Sequence, residues 1–389
     1  MFSSFFLAGF ESATGYNRNH EKIDQIAATG HDKFIDQDYR LLSEAGICAA
    51  RDAIRWPLVD HNGHFDMTTV DPLIEAGRKH GVEIIYDLFH YGYPDDVDLF
   101  SDTLPERFAE YVYAVTKYLA DRTEGTLYLT PVNEPSYFAF AGGEVGWFAP
   151  HAIDRGGELK HALIRALIQG IDAAWSVSRD VRIVNVDPIC RVVAPSDHPE
   201  LERRVDEFND KAVFESFDMI AGRVYPEYGG SREHLDIVGL NYYWTNQWEL
   251  TREGTPLAAD DPRLLPLHLL IKTAWDRYGG EMLITETSHV LDMRPRWVRE
   301  LADETEKMLD LGINLQGICL YPILGMPEWH AQEEWTRLGL WDVHPEHGRI
   351  LYDPMFEALR EAQARLESDH ARRGQILAGR PRSRERAGG

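Results

Sequence analysis

The sequence predicts an α/β protein whose parallel strands close into a (β/α)8 barrel, the TIM-barrel architecture. Three observations carry that reading. Short apolar runs alternate with longer segments of helical period along nearly the whole chain, the pattern of a parallel sheet with crossover helices. The runs number eight, and a helical segment follows each, which is the count that closes a barrel. No glycine-rich turn follows the first run, whereas the competing open, doubly wound sheet normally carries one there.

The elements follow in order. Residues 5–10 read as the first strand, because this apolar start has neither the basic segment nor the small-residue cleavage site of an export signal. A helix over 32–45 ends at Gly46, and strand 47–54 follows. Helix 70–80 opens on Asp71-Pro72 and stops at Gly81, leading to strand 82–89. Helix 105–122 precedes strand 126–132, helix 158–179 precedes strand 181–186, and one helix over 201–221 leads to strand 237–241. Helix 264–278, strand 282–285, helix 296–311 with its stop at Gly312, and strand 316–321 complete the ring. A last helix over 354–366 opens at Asp353-Pro354. No internal repeat is visible. Residues 1–370 read as a single domain, and 371–389, with six Arg, one Glu and almost no large apolar group, as a disordered tail.

Composition narrows the partners. With 44% hydrophobic and 27% charged residues, the 389-residue chain can bury a core without covalent staples. The net charge of −24 disfavours nucleic acid and anionic membranes, and makes a neutral ligand a better fit than a polyanion. Cys48, Cys190 and Cys319 are too few and scattered for a disulfide framework or zinc site, and read as buried reduced thiols. No run approaches the ~20 apolar residues of a membrane span, so a cytoplasmic location is the default. The 16 histidines form no His-x-His or strand-end His/Asp cluster, so neither a metal nor another cofactor is expected.

In such a barrel the C-terminal strand ends face the active-site mouth. The fourth run ends in Thr130-Pro131-Val132-Asn133-Glu134-Pro135 and the seventh in Ile284-Thr285-Glu286-Thr287, so a carboxylate is expected at the last strand position of each. Two opposed carboxylates suit glycoside cleavage: one donates a proton to the leaving oxygen while the other meets the developing oxocarbenium carbon. Their proximity separates their roles, since ionised Glu286 disfavours charge on Glu134 and keeps it protonated as general acid. The structural alternative makes Glu134 a helix cap and Glu286 the partner of an arginine. Two carboxylates at two barrel-strand ends favour the chemical reading.

These segments resemble those of the family 1 glycoside hydrolases, and the resemblance runs in barrel order from about Leu7 to about Leu366. The family's acid/base lies in Thr-x-Asn-Glu-Pro on the fourth strand, matched by Thr130 to Pro135 with one residue more; its nucleophile lies in Ile-Thr-Glu-Asn-Gly, matched by Ile284 to Glu286 and departing at Thr287-Ser288. The resemblance implies catalytic roles for Glu134 and Glu286. It implies that Arg51, in Ala50-Arg51-Asp52-Ala53-Ile54-Arg55-Trp56-Pro57, keeps the nucleophile ionised, with Arg55 left for a surface or mouth pair. His90 would bind a sugar hydroxyl, Asn133 the 2-hydroxyl, and Tyr243, in Gly239-Leu240-Asn241-Tyr242-Tyr243, would donate to the nucleophile beside Asn241. Glu328 and Trp329 match a pair that grips the distal hydroxyls of the non-reducing sugar, behind Tyr321 where the family has tryptophan. A carboxylate at Glu328 would repel phosphate, which implies an unphosphorylated glycone. The family's glutamine after the first strand has no match, and Glu11 is the nearest polar candidate.

The implied activity is that of a retaining β-glycosidase cleaving β-linked glucosides or related neutral glycosides by double displacement. One alternative is a transglycosidase using the same intermediate, with Trp147, Phe148, Trp244 and Trp248 as an acceptor wall. A remoter one is a sugar-binding barrel without chemistry, which would be expected to have lost one of the two carboxylates.

Overall fold

The computed structural model describes residues 2–251, 254–344 and 348–378, with side chains as far as 366 in the last helix. Eight parallel strands close into a barrel in chain order: Phe6–Gly9, Ala49–Ala53, Glu83–Asp87, Tyr128–Thr130, Arg182–Pro188, Ile237–Asn241, Glu281–Thr287 and Leu315–Leu320. The first strand closes the ring by pairing Phe6 with Ile318 on the eighth and Ala8 with Ala50 on the second. Inward side chains from the strands, among them Leu7, Ala49, Ile85, Val184, Leu283 and Cys319, fill the barrel axis as one packed cluster, joined by Phe2, whose ring is tilted against that of Tyr128. Such a barrel is a solid core, and only its C-terminal face is free to hold a site.

The larger core lies between strands and helices. Helix Leu104–Ala120 shows how the sequence builds it: Phe108, Tyr111, Val112, Val115 and Leu119 recur at three- and four-residue spacing and are all buried. Each such residue contributes roughly 1.5–3 kcal/mol relative to exposure. Helices His31–Glu44 and Asp71–His80 stop where expected, with Gly46 and Gly81 at φ +75° and +66°, a conformation that costs other residues more than glycine.

Three expectations need correction. The helix predicted over 201–221 is two helices, Glu202–Asp210 and Glu215–Ile220, parted by a 3-10 turn at Ala212–Phe214. Their burial explains the break: Val205 packs into a peripheral cluster with Val192 and Ala194, whereas Phe217, Met219 and Ile220 pack into the main core, and one straight helix does not serve both. Of the cysteines, none of them in a disulfide, only Cys319 is fully buried; Cys48 and Cys190 are half-buried. The last helix, Asp353–Ala378, runs beyond the predicted residue 366 into the segment expected to be a tail, and residues 379–389 lie outside the described residues. Among the described residues no helix is long and apolar enough to cross a membrane.

Short paired strands furnish the loops. Hairpins Thr14–Tyr16 with Lys22–Asp24 and Met326–Glu328 with Ala331–Thr336 follow the first and eighth barrel strands, and meet where Asn17 Nδ2 donates to the Trp329 carbonyl at 2.9 Å.

Candidate active site

Glu286 stands in the seventh strand, next to its end, where the pairing register slips. Leu240 pairs with Ile284 but Asn241 pairs with Glu286, and on the other side Ile284 pairs with Ile318 while Thr287 pairs with Leu320. An extra residue of this kind re-aims the side chains around it. Glu286 is buried, with Oε1 accepting from Arg51 Nη1 at 2.5 Å and Oε2 from the Tyr243 hydroxyl at 2.7 Å.

Glu134 does not occupy the last position of its strand, as expected from the sequence. The strand ends at Thr130, and Glu134 lies four residues on, in the left-handed region at φ +45°, as N-cap of the short helix Pro135–Phe138. Its amide still donates to Val186 on the fifth strand at 3.1 Å, so the turn remains tied to the barrel. Oε1 accepts from Asn241 Nδ2 at 2.8 Å and Oε2 from the Tyr91 hydroxyl at 2.6 Å. Burial first, and then the charge of Glu286, push the Glu134 carboxyl up to about 8, against the pull of those two hydrogen bonds. The two glutamates therefore differ in their surroundings: one faces a cation, the other only neutral donors.

Between them lies a closed ring of polar groups, and elementary donor and acceptor rules assign its protons. Arg51 has donors only, so the Asn133 atom 2.6 Å from its Nη2 is the carbonyl oxygen. Asn133 Nδ2 then donates to His90 Nε2 and to the Tyr91 oxygen, both at 3.1 Å. His90 Nε2 is thus an acceptor, and its proton sits on Nδ1, 3.1 Å from Asp87 Oδ2. The same Asp87 oxygen lies 2.6 Å from Arg51 Nη2, which closes the ring. Both amide donors of Asn133 are spent inside the protein, and His90 has no donor free. The one ring lone pair of His90 is taken as well, so of the two only Asn133 can still accept from a sugar hydroxyl, through the second lone pair of its carbonyl oxygen, a narrower role than the sequence implied.

The remaining candidates are placed less uniformly. Glu11 is buried beside the ring, with Oε1 accepting from the Ala13 amide at 2.8 Å and lying 3.8 Å from His90 Nε2. Burial raises its carboxyl above the usual range, His90 opposing and Glu286 adding to the rise. Trp329 packs edge-on against Tyr91 at 5.8 Å and Phe148 at 5.2 Å, with its indole nitrogen buried and unpartnered among the described residues. Glu328 is not drawn into this cluster: it is exposed on the hairpin, and its carboxylate makes no hydrogen bond or ion pair among the described residues. Arg55 forms the expected mouth pair, with Asp24 at 2.7 Å. Of the four aromatics considered for an acceptor wall, Phe148 is buried, Trp147 is exposed against Phe140, Trp244 stacks on His289, and Trp248 belongs to the peripheral cluster with Phe208. Among the described residues no group of three or more His, Cys, Asp or Glu is arranged to hold a metal ion.

Sequence reasoning passed over three residues. Asp87 and Tyr91 lie on either side of His90 in a segment singled out for the histidine alone. Strand alternation turns neighbours to opposite faces, which argues against two adjacent site residues. Tyr91 escapes the rule because its φ of +66° takes it out of extended geometry. Asp187, at the end of the fifth strand, accepts from the Ser136 amide at 3.0 Å and hydroxyl at 2.6 Å, which braces the turn carrying Glu134; burial pushes its carboxyl up to about 6. Nothing in its local sequence marks it.

Against known proteins, residues 9–256 match the profile of glycosyl hydrolase family 1. Solved structures with the same fold include the family 1 β-glucosidase from Thermotoga maritima, 18% identical, with a TM-score of 0.75 over 93% of this chain and 99% of that one. The same organism's β-glucosidase in complex with glucoimidazole also matches with a TM-score of 0.75 and 18% identity, over 93% of this chain and 98% of that one. No curated protein matches in sequence. With the profile spanning more than half of the chain, the chain belongs to glycosyl hydrolase family 1.

Proposed function

We propose that this protein is a retaining β-glycosidase acting on neutral β-glucosides or related β-glycosides. The observation that carries the reading is the unequal treatment of two buried glutamates: Glu286 is bonded to Arg51, while Glu134 is pushed up to about 8 beside it. In the first displacement Glu286 attacks the anomeric carbon as Glu134 protonates the leaving oxygen. In the second, Glu134, now ionised, takes a proton from water, which releases the sugar from Glu286. Tyr243 holds the nucleophile's second oxygen, and Asn241 and Tyr91 aim the acid. Glu11 and the Asn133 carbonyl face the glycone as acceptors, His90 anchors the Asn133 amide, Trp329 supplies an indole donor unused among the described residues, and Glu328 would reach the sugar by moving in from solvent.

The test is intact-mass spectrometry after incubation with a 2-deoxy-2-fluoro β-glucosyl fluoride, followed by peptide mapping. A single glycosyl adduct on Glu286 is expected. Turnover of glycosides with no adduct, or an adduct on another residue, would sink the assignment.

A further inference from the structure

The mechanism makes no use of Asp87, a fully buried carboxylate at the end of the third strand. Its Oδ2 serves both Arg51 Nη2, at 2.6 Å, and His90 Nδ1, at 3.1 Å, while Oδ1 is buried without a hydrogen-bond partner among the described residues. The other arm of the same guanidinium holds Glu286 Oε1 at 2.5 Å. One cation is therefore divided between two carboxylates on different strands. A guanidinium given to a single carboxylate in a dry site makes a closed, neutral pair, whose electron density is poorly available for attack. With two carboxylates, the trio retains one negative charge.

We propose, resting on the reading of Glu286 as nucleophile, that Asp87 is a positioning residue acting through Arg51. By taking a share of the guanidinium, it lets the cation hold Glu286 in place without neutralising it. The groups packed around the trio leave this balance undisturbed. Burial raises the phenols of Tyr91, Tyr243, Tyr321 and Tyr111 and the thiol of Cys319, so none of them is charged at neutral pH. Burial also raises the carboxyls of Glu11 and Glu134, and His90 is bonded as a neutral ring. For Arg51, burial works against the charged form, and Asp87 ranks ahead of Glu286 among the groups that restore it.

The Asp87→Asn variant isolates the charge. Its amide oxygen takes the shared Oδ2 position and keeps both partners, while its amide nitrogen takes the place of the unpartnered Oδ1. Two measurements on the full chain read the effect. In the first, the Glu286 carboxyl is titrated by 13C NMR without substrate, its signal identified by its loss in Glu286→Gln. The expected result is a fall of about one pH unit in Asp87→Asn, because a like charge has been removed. In the second, the acid limb of kcat/KM moves down by the same amount, and kcat falls about ten-fold with KM little changed. A Glu286 titration that is unchanged or moves upward overturns the proposal. If the amide variant does not fold, Asp87→Thr carries the same comparison with the same expected fall. The NMR arm needs no turnover, so an inert wild-type chain would count against the glycosidase reading while the titration still decides the role of Asp87.

Discussion

At the scale of the residue, the two glutamates are made different by their nearest neighbours. Glu134 must be protonated to serve as acid, so kcat/KM is expected to fall as pH rises through about 8. The Tyr91 hydroxyl donates to Glu134 and so favours its ionised form. Tyr91→Phe should therefore move this basic limb upward, and a pH profile of the variant checks the sign. A downward shift would mean that the phenol stabilises the neutral acid instead. Asn133 and His90 carry a related lesson. Their residue types were legible in the sequence, but the directions of their hydrogen bonds were not, because Arg51 comes from another strand and fixes the Asn133 amide, which in turn sets the proton of His90 towards Asp87, three residues before it.

At the scale of the element, the second strand is backed by a buried charge network on its outer side. His31, from the first long helix, bridges Asp38 at 2.8 Å and Asp52 at 2.9 Å; Asp52 adjoins Arg51 in the strand, and Arg349 clasps Asp38. Burial alone would lower the His31 pKa, but Asp52 and Asp38 outweigh it and raise it to about 9. Because the folded pKa lies above the unfolded value of about 6.5, the stabilisation is complete below pH ~6.5 and is lost as pH rises through about 9. The difference corresponds to roughly 3 kcal/mol. Urea unfolding at pH 6, 7.5 and 9 should show that decline, and His31→Gln should flatten it. Helix period and turn residues revealed this helix; they said nothing of what its buried histidine touches. The break within residues 201–221 was hidden for a similar reason, since the two halves are each helical but pack on different cores.

At the scale of the whole molecule, closure of the ring decides stability. The final helix packs against helix Arg294–Asp310 and reaches the end of the first long helix, where Gln363 Nε2 donates to the Ala45 carbonyl at 3.0 Å, and its Leu359 is fully buried. Leu359→Ala should cost about 2–5 kcal/mol, read as a lower urea midpoint at unchanged slope. The same closure brings residues from the first, second, third, fourth, sixth, seventh and eighth strands to a single mouth.

Alternating apolar runs and helical periods, with glycines and prolines at the boundaries, were enough to determine the eight-fold barrel from sequence, because those signals are local and repeat. The two glutamates were legible too, because strand ends in a barrel face one mouth. What only the tertiary structure decided was the state of those glutamates. Charge and proton position at the site depend on contacts across the barrel: Arg51 divided between Asp87 and Glu286, Tyr91 turned towards Glu134 by a positive φ, and Glu328 left in solvent. Electrostatics in a buried site is set by atoms within a few ångströms, whatever their separation along the chain, and local sequence holds no record of that distance.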